Sequence, residues 1–413
     1  MRDLDIAVAG CGIAGLAAAL LLHRQGHGVT LYERFDQPRP LGSGLMIQPT
    51  GLAVLAQLGL AEEVVANGAV VTRLYGLNTL GETVLDARYA DLRPTGLFGL
   101  GIHRASLFGA LYDAVVSAGI PLRTGSEVVG SACEAHGRRL HFAEGESSPA
   151  HDLVVDVLGV ASSLAPNSEG WLPYGALWTT LPWPADGPFD HARLEQRYER
   201  ARKMAGILPT GVRRGSRDLE LSLFWSLRAD GVTRMQEGGL LRWKHDFLEL
   251  WPECAGILEQ IVDPCQLTFA RYAHRTLRRP IEERLIHLGD AWHSASPQLG
   301  QGANMALLDA WALARGLANA SDLAAGLNAA ISVRRSHVAL YQRMTAFFTP
   351  LYQSDAAFPA LVRDLLFAPL SRVGPGPRVQ GALVGGLAGG PLGRLGLALP
   401  DYAALSATVA VPR

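Results

Sequence analysis

The chain has 413 residues, 48% of them hydrophobic and 18% charged, enough to bury more than one sizeable core, which excludes disorder and miniprotein scaffolds. Its 37 Lys+Arg are balanced by 38 Asp+Glu, so no global field draws it to nucleic acid or anionic lipid. Only Lys203 and Lys244 are lysines, so chemistry that needs an amine has two candidates. Cys11, Cys133, Cys254 and Cys265 are far apart and form no C-x-x-C pair, which argues against a zinc site or a disulfide framework and for a reducing, cytoplasmic location. The glycine-cut N-terminus does not read as a signal peptide, and the stretch Leu383 to Leu399 is too broken by Gly and Pro to span a membrane.

The first elements expected in the chain are a strand over 4–9, a glycine turn, an apolar helix to about Gln25 and a second strand over Val29 to Tyr32. Within this run, Gly10, Gly12 and Gly15 form G-x-G-x-x-G. Gly10 permits a tight turn, Gly12 lets backbone approach a pyrophosphate, and Gly15 lets helix and strand pack closely. Ile13 and Ala14 then open a helix whose free N–H groups and positive dipole end suit phosphate. Glu33, at the end of the second strand, stands where an acid accepts hydrogen bonds from ribose hydroxyls. The bland reading is an ordinary glycine turn, but strand, helix, second strand and acid together point to a dinucleotide. This motif alone does not separate FAD from NAD.

Further along, Gly101 to Leu107 places Arg104 at a helix start, where a guanidinium suits an anionic pyrophosphate and the plain alternative is a solvated arginine. From about Trp171 to Arg279 the texture turns to Trp/Pro-rich loops and alternating stretches such as Leu219 to Trp225, as in a mostly β second domain. Phe224, Trp225 and Trp243 are pocket candidates there, against sheet packing as the default for aromatics on strands. A strand ending at Gly289-Asp290 returns the chain to the first domain, followed by a helix to about Leu317. Helix is expected from Val333 to about Arg372, and a loosely specified Gly/Pro-punctuated tail after it. Glycine spacings within Gly385 to Gly393 have no preceding strand and are set aside as a phosphate site.

The run Gly289-Asp290-Ala291-Trp292-His293, with Pro297, Gly300-Gln301-Gly302 and Asn304, resembles the G-D-x-x-H-x-x-x-P-x-x-G-Q-G-x-N signature of single-component flavin-dependent aromatic hydroxylases, the para-hydroxybenzoate hydroxylase-like family. The bland reading, a Gly-rich helix cap, needs neither Asp290 nor the paired glycines. The resemblance implies an α/β fold with a discontinuous Rossmann-type FAD-binding domain (1–75, 99–165 and 281–345), a mostly β substrate domain (76–98 and 166–280) and a C-terminal helical segment and tail (346–413). It implies that Asp290 binds the ribityl chain and that Pro297 and Gly300 to Asn304, Ala303 included, line the isoalloxazine. Arg104 would contact the cofactor, and Arg34 and Val128 complete the expected cofactor set. No metal is expected.

The implied cycle has NADPH or NADH reducing FAD, O2 adding at the flavin C4a carbon, and the hydroperoxide transferring OH to an activated aromatic ring. The protein would hold the ring, exclude water and stabilise flavin charge, which needs no nucleophile or metal. His293, Tyr272 and His274 are weak candidates for proton transfer or substrate contact, each with a structural alternative. The segment Asp152 to Ala165 departs from the family's D-L-V-V-G-A-D-G-x-x-S-x-x-R: Leu158 replaces its acid and Ala165 its arginine. That departure puts direct reduction by NAD(P)H in doubt and keeps alive a same-fold oxidase or dehydrogenase, or an enzyme served by a separate flavin reductase. A halogenase is disfavoured, because no lysine precedes Lys203 and no W-x-W-x-I-P segment appears. A flavin-holding protein without catalysis is a further rival. A monomer or homodimer is expected, with no nucleic-acid or membrane partner.

Overall fold

The computed structural model describes residues 3–39, 42–166 and 170–408. A six-stranded sheet runs in the order Ile281–Glu282, Leu285–His287, Leu153–Asp156, Asp5–Ala9, Gly28–Tyr32 and Leu122–Arg123. Its four longer neighbours and Leu122–Arg123 are parallel, with Val8 opposite Val155 on one side and Leu31 on the other. Ile6 to Ala9 are fully buried, the near-continuous apolar run expected of a strand covered on both faces. The crossover helix Ile13–His23 is apolar all round because it packs between this sheet and the helix Gly302–Ala318.

The second sheet has seven strands, ordered Thr268–Ala273, Trp171–Pro182, Leu219–Arg228, Lys203–Val212, Arg193–Glu199, Arg73–Asn78 and Thr83–Arg88. The excursion to it therefore begins at Arg73. Between the two sheets lies a three-stranded one, Gly44–Ile47, Gly99–His103 and Ala69–Val71, whose Gly101 packs against the Pro209 carbonyl of the seven-stranded sheet. The second domain is not β alone. Helices Val232–Gly238, Leu240–Leu250 and Ala255–Glu259 cover one face of its sheet, burying Trp243, Phe247, Trp251 and Ile257 against Leu177, Leu221 and Trp225.

Two expectations for the C-terminal part are corrected. The helix starts at Leu323, ten residues before Val333, because Asp322 caps it by accepting from the Ala325 N–H at 2.8 Å. It ends at Tyr352, just past Pro350. The Gly/Pro-rich tail is not loose: Gly376–Val384, Pro391–Leu395 and Tyr402–Ser406 are short helices, and Leu392, Leu395, Leu397, Tyr402 and Leu405 enter the main core. Short turns joined by glycine bury side chains without producing a helical period, so composition alone hides them.

Candidate functional site

At the first glycine turn the three glycines do different physical work. Gly10 adopts φ +113°, and a Cβ there would lie 2.7 Å from the Val157 carbonyl oxygen. A Cβ on Gly15 would sit 2.0 Å from the Gly10 carbonyl oxygen, so helix and strand close only on glycine. A Cβ on Gly12 would meet nothing within 4 Å. That open approach leads to the first turn of Ile13–His23, which has no side-chain cap on its N–H groups. Glu33 braces the turn, its carboxylate accepting from the Cys11 N–H at 3.0 Å and the Phe35 N–H at 3.1 Å. Burial and the nearby Glu33 charge push the Cys11 thiol up to about 12, so it stays protonated. Arg34 is exposed, with its guanidinium over the Phe35 ring. Val128 is buried, and its carbonyl accepts from the Ser163 hydroxyl at 2.6 Å.

The second loop meets a cavity of about 600 Å³. One wall contains Arg104, Asp290, His293, Pro297, Gly300 and Gly302 to Ala303, bringing together residues nearly 200 positions apart. Asp290 faces the cavity and keeps an exposed surface there. Desolvation raises its carboxyl above the ordinary range, against the opposing pull of His293, Arg104 and Arg275. Desolvation likewise lowers Arg104, opposed by Asp290. A Cβ on Gly302 would meet nothing within 4 Å, the same open backbone found at Gly12. These two unobstructed approaches, together with a carboxyl and a guanidinium that both face the cavity, fit a long ligand with an anionic middle and a flat ring at one end.

Asn304 is a correction. Its side chain is fully buried and turned away from the cavity: the amide donates to the Met46 and Gly300 carbonyls at 3.0 and 3.1 Å and accepts from the Gln48 N–H at 2.8 Å. It clasps the loop to the strand Gly44–Ile47 and shapes the wall from behind.

Behind the same loop, Asp309 Oδ2 accepts from the Gly289 N–H at 3.0 Å and from His293 Nε2–H at 2.6 Å, while Oδ1 accepts from Arg334 Nε–H at 2.7 Å. Burial alone would raise the Asp309 carboxyl; His293 and Arg334 outweigh it and hold it at about 2. Arg334 also donates to His337 Nδ1 at 2.7 Å, and His337 Nε2–H donates to the Gly386 carbonyl at 3.1 Å. Burial, then Arg334, hold His337 down at about 3, so it is neutral. The sequence singled out only Gly289 and His293 of this chain of contacts; the spacing of Asp309, Arg334 and His337 on two helices carries no separate motif.

The opposite wall is largely apolar, with Leu74, Leu194, Met204, Leu208 and Phe224 facing in. Phe224 and Trp225 are consecutive on one strand and therefore point to opposite faces. Phe224 lines the cavity; Trp225 and Trp243 are corrected to the core beneath the helical cover. Tyr272 lines the cavity and accepts from Trp178 Nε1–H at 3.2 Å, and burial raises its hydroxyl pKa, so it remains a donor. His274 lies outside the lining, its ring lowered by burial and its Nε2 unpartnered among the described residues. The tail, unforeseen as part of the site, supplies Gln380, Leu383 and Val384, and Gln301 Nε2–H donates to the Val384 carbonyl at 2.5 Å.

At the departing segment an acid stands two positions earlier than in the family pattern. Asp156 is fully buried, accepting from the Leu158 N–H at 3.0 Å and the Ser162 hydroxyl at 2.6 Å and pairing with His287 Nδ1 at 2.6 Å. Leu158 and Leu164 join an apolar cluster with Tyr32 and Val128.

The model of the FAD binding domain family matches residues 3–151 and 235–338. The chain is 27% identical over 331 residues to 3-amino-4-hydroxybenzoate 2-monooxygenase of Streptomyces cremeus, covering 75% of this chain and 77% of that protein. Its fold is similar to 2-methyl-3-hydroxypyridine-5-carboxylic acid oxygenase, with TM-score 0.74 at 21% identity over 92% and 96% of the two chains. It is also similar to Klebsiella pneumoniae HpxO complexed with FAD and uric acid, with TM-score 0.78 at 19% identity over 94% and 98%. The α/β FAD-binding architecture, the matched family and these relatives agree: the chain belongs to the FAD binding domain family, as a flavoprotein monooxygenase of the single-component aromatic hydroxylase type.

Proposed function

We propose that this enzyme uses FAD and O2 to hydroxylate an uncharged, largely apolar aromatic molecule, with electrons from NADPH or NADH. The observation that carries the substrate class is the cavity of about 600 Å³, whose far wall is built from Leu74, Leu194, Met204, Leu208 and Phe224. Apart from Arg104 and His293 on the cofactor side, the basic residue in the described lining is Arg271, and its guanidinium stacks on Trp171. A substrate carboxylate would find no cation besides Arg271 on that side.

Gly10 to Gly15 and Arg104 would hold the diphosphate, Glu33 the ribose end and Asp290 the ribityl chain, while Pro297, Gly300, Gly302 and Ala303 would pack on the ring. Bound FAD supplies the redox chemistry that activates O2 for transfer of one oxygen atom to the substrate. The apolar wall orients the substrate ring and excludes water from it. Tyr272, its oxygen engaged by Trp178, keeps its own O–H for a substrate oxygen. The N-terminus of Gly302–Ala318, facing the cavity, favours negative charge on the ring system.

A second reading, reduction by a separate flavin reductase, is favoured by one observation: Leu158 and Ala165 put apolar groups where the family pattern has charged ones. Stopped-flow mixing of the FAD-loaded enzyme with NADPH or NADH, with and without aromatic ligands, tests the donor. Fast ligand-stimulated bleaching supports direct reduction. Bleaching that requires an added reductase supports the second reading.

A further inference from the structure

Of the fourteen large hydrophobic side chains exposed in the described residues, eight fall between Phe347 and Val379. The helical run 357–370 is inverted relative to an ordinary surface helix. Ala360, Arg363 and Ala368 face inward, while Phe358 (72% exposed), Leu361, Leu365 (71%), Leu366 and Leu370 face outward, followed by Val373 and Val379. Phe347, from the long helix, joins this surface through an edge-to-face contact with Phe367 at 5.3 Å. The run is held in place from inside. Arg363, 1% exposed, donates to the Arg200 and Leu351 carbonyls and lies over the rings of Tyr198 and Tyr352. Both tyrosines line the cavity, as do Phe348 and Gln380, the chain neighbours of exposed Phe347 and Val379. The apolar surface is therefore the outer side of a cavity wall.

Charge decides what covers it. From Tyr341 to Val384 the only acids are Asp355 and Asp364, and both are engaged: Asp355 by Tyr174 and Arg228, Asp364 by Arg363. Arg343, Arg372 and Arg378 are exposed at the margins with no carboxylate partner among the described residues. A two-fold contact with a second copy would set this positive rim against itself, whereas an anionic lipid surface complements it. No described helix is long and apolar enough to cross a membrane. We propose that this face seats the enzyme on an anionic membrane surface, with Phe358, Leu361, Leu365 and Leu370 in the acyl boundary and Arg343, Arg372 and Arg378 at the headgroups. The chain's balanced overall charge conceals this local asymmetry.

Co-flotation of the full-length, FAD-loaded enzyme with phosphatidylcholine vesicles, with and without phosphatidylglycerol, tests it. The expected result is binding to the anionic vesicles that weakens with salt and is lost in Phe358→Glu/Leu365→Glu, with melting temperature and bound FAD unchanged. Arg343→Gln and Arg378→Gln, which leave the apolar face intact, should each weaken binding about fivefold. Absence of binding to anionic vesicles, or binding indifferent to both sets of variants, overturns the proposal. So does a dimer that the Glu variants dissociate in the absence of any vesicle binding, which would assign the face to a second copy.

Discussion

His293 and Asp309, both buried, share a hydrogen bond of 2.6 Å, and the same carboxylate holds the Gly289 N–H immediately before Asp290. The cavity-facing loop is thus pinned from behind by a charge that belongs to the next helix. Asp309→Asn leaves Arg334 buried without a counter-charge, which should cost about 3 kcal/mol of folding stability. Denaturant unfolding of the FAD-free protein measures the cost. FAD affinity should fall as well, because the Gly289 turn loses its anchor.

The pH dependence of stability follows from the same contacts. His337 is depressed from 6.5 to about 3, so the unfolded chain takes up a proton that the folded one refuses, and stability falls as pH drops from 6.5 toward 3. Asp309, depressed from 3.8 to about 2, adds a further loss between those values. The sign is the same for both groups: the fold is weakened by acid. His337→Gln removes one titrating group and should flatten the upper window by up to ~1.4 kcal/mol per pH unit. Unfolding curves across that window check it; an unchanged slope would count against the neutral His337.

Gly12 and Gly15 separate ligand binding from folding. Gly15→Ala drives a methyl to 2.0 Å from the Gly10 carbonyl oxygen and should destabilise the FAD-free protein by about 1–3 kcal/mol or more. Gly12→Ala meets nothing within 4 Å and its backbone is in an ordinary region, so the FAD-free protein should melt as the wild type does. Its methyl would stand where a diphosphate has to approach, and FAD affinity should drop at least about tenfold. Paired melting and FAD titration of the two variants check this.

The neighbours Phe224 and Trp225 make a comparable pair on the substrate side. Phe224→Ala enlarges the cavity and should raise KM for an aromatic substrate, whereas Trp225→Ala opens a hole in the helix-covered core and should cost about 3–5 kcal/mol with KM little changed. Steady-state kinetics beside thermal melting distinguish them.

Much of the cofactor side was legible because its constraints are local. Gly10 takes a positive φ that glycine permits, Gly15 is needed by a contact with Gly10 inside the same turn, and Glu33 braces that turn from the next strand, so spacing alone locates them. The substrate side was not, because which of Phe224 and Trp225 faces the cavity depends on which face of the sheet the helices at 232–259 cover. Asn304 misled for a related reason: its motif position is right, yet its partners, Met46 and Gln48, lie more than 250 residues away. Leu383 and Val384 reach the cavity through short glycine-linked helices that leave no period in the sequence.

The most direct test of the account is calorimetric and optical titration of FAD into the purified, cofactor-stripped chain. The two-loop site predicts saturable, stoichiometric binding with a yellow spectrum perturbed by a water-poor environment. A protein that stays colourless and releases no heat would contradict it.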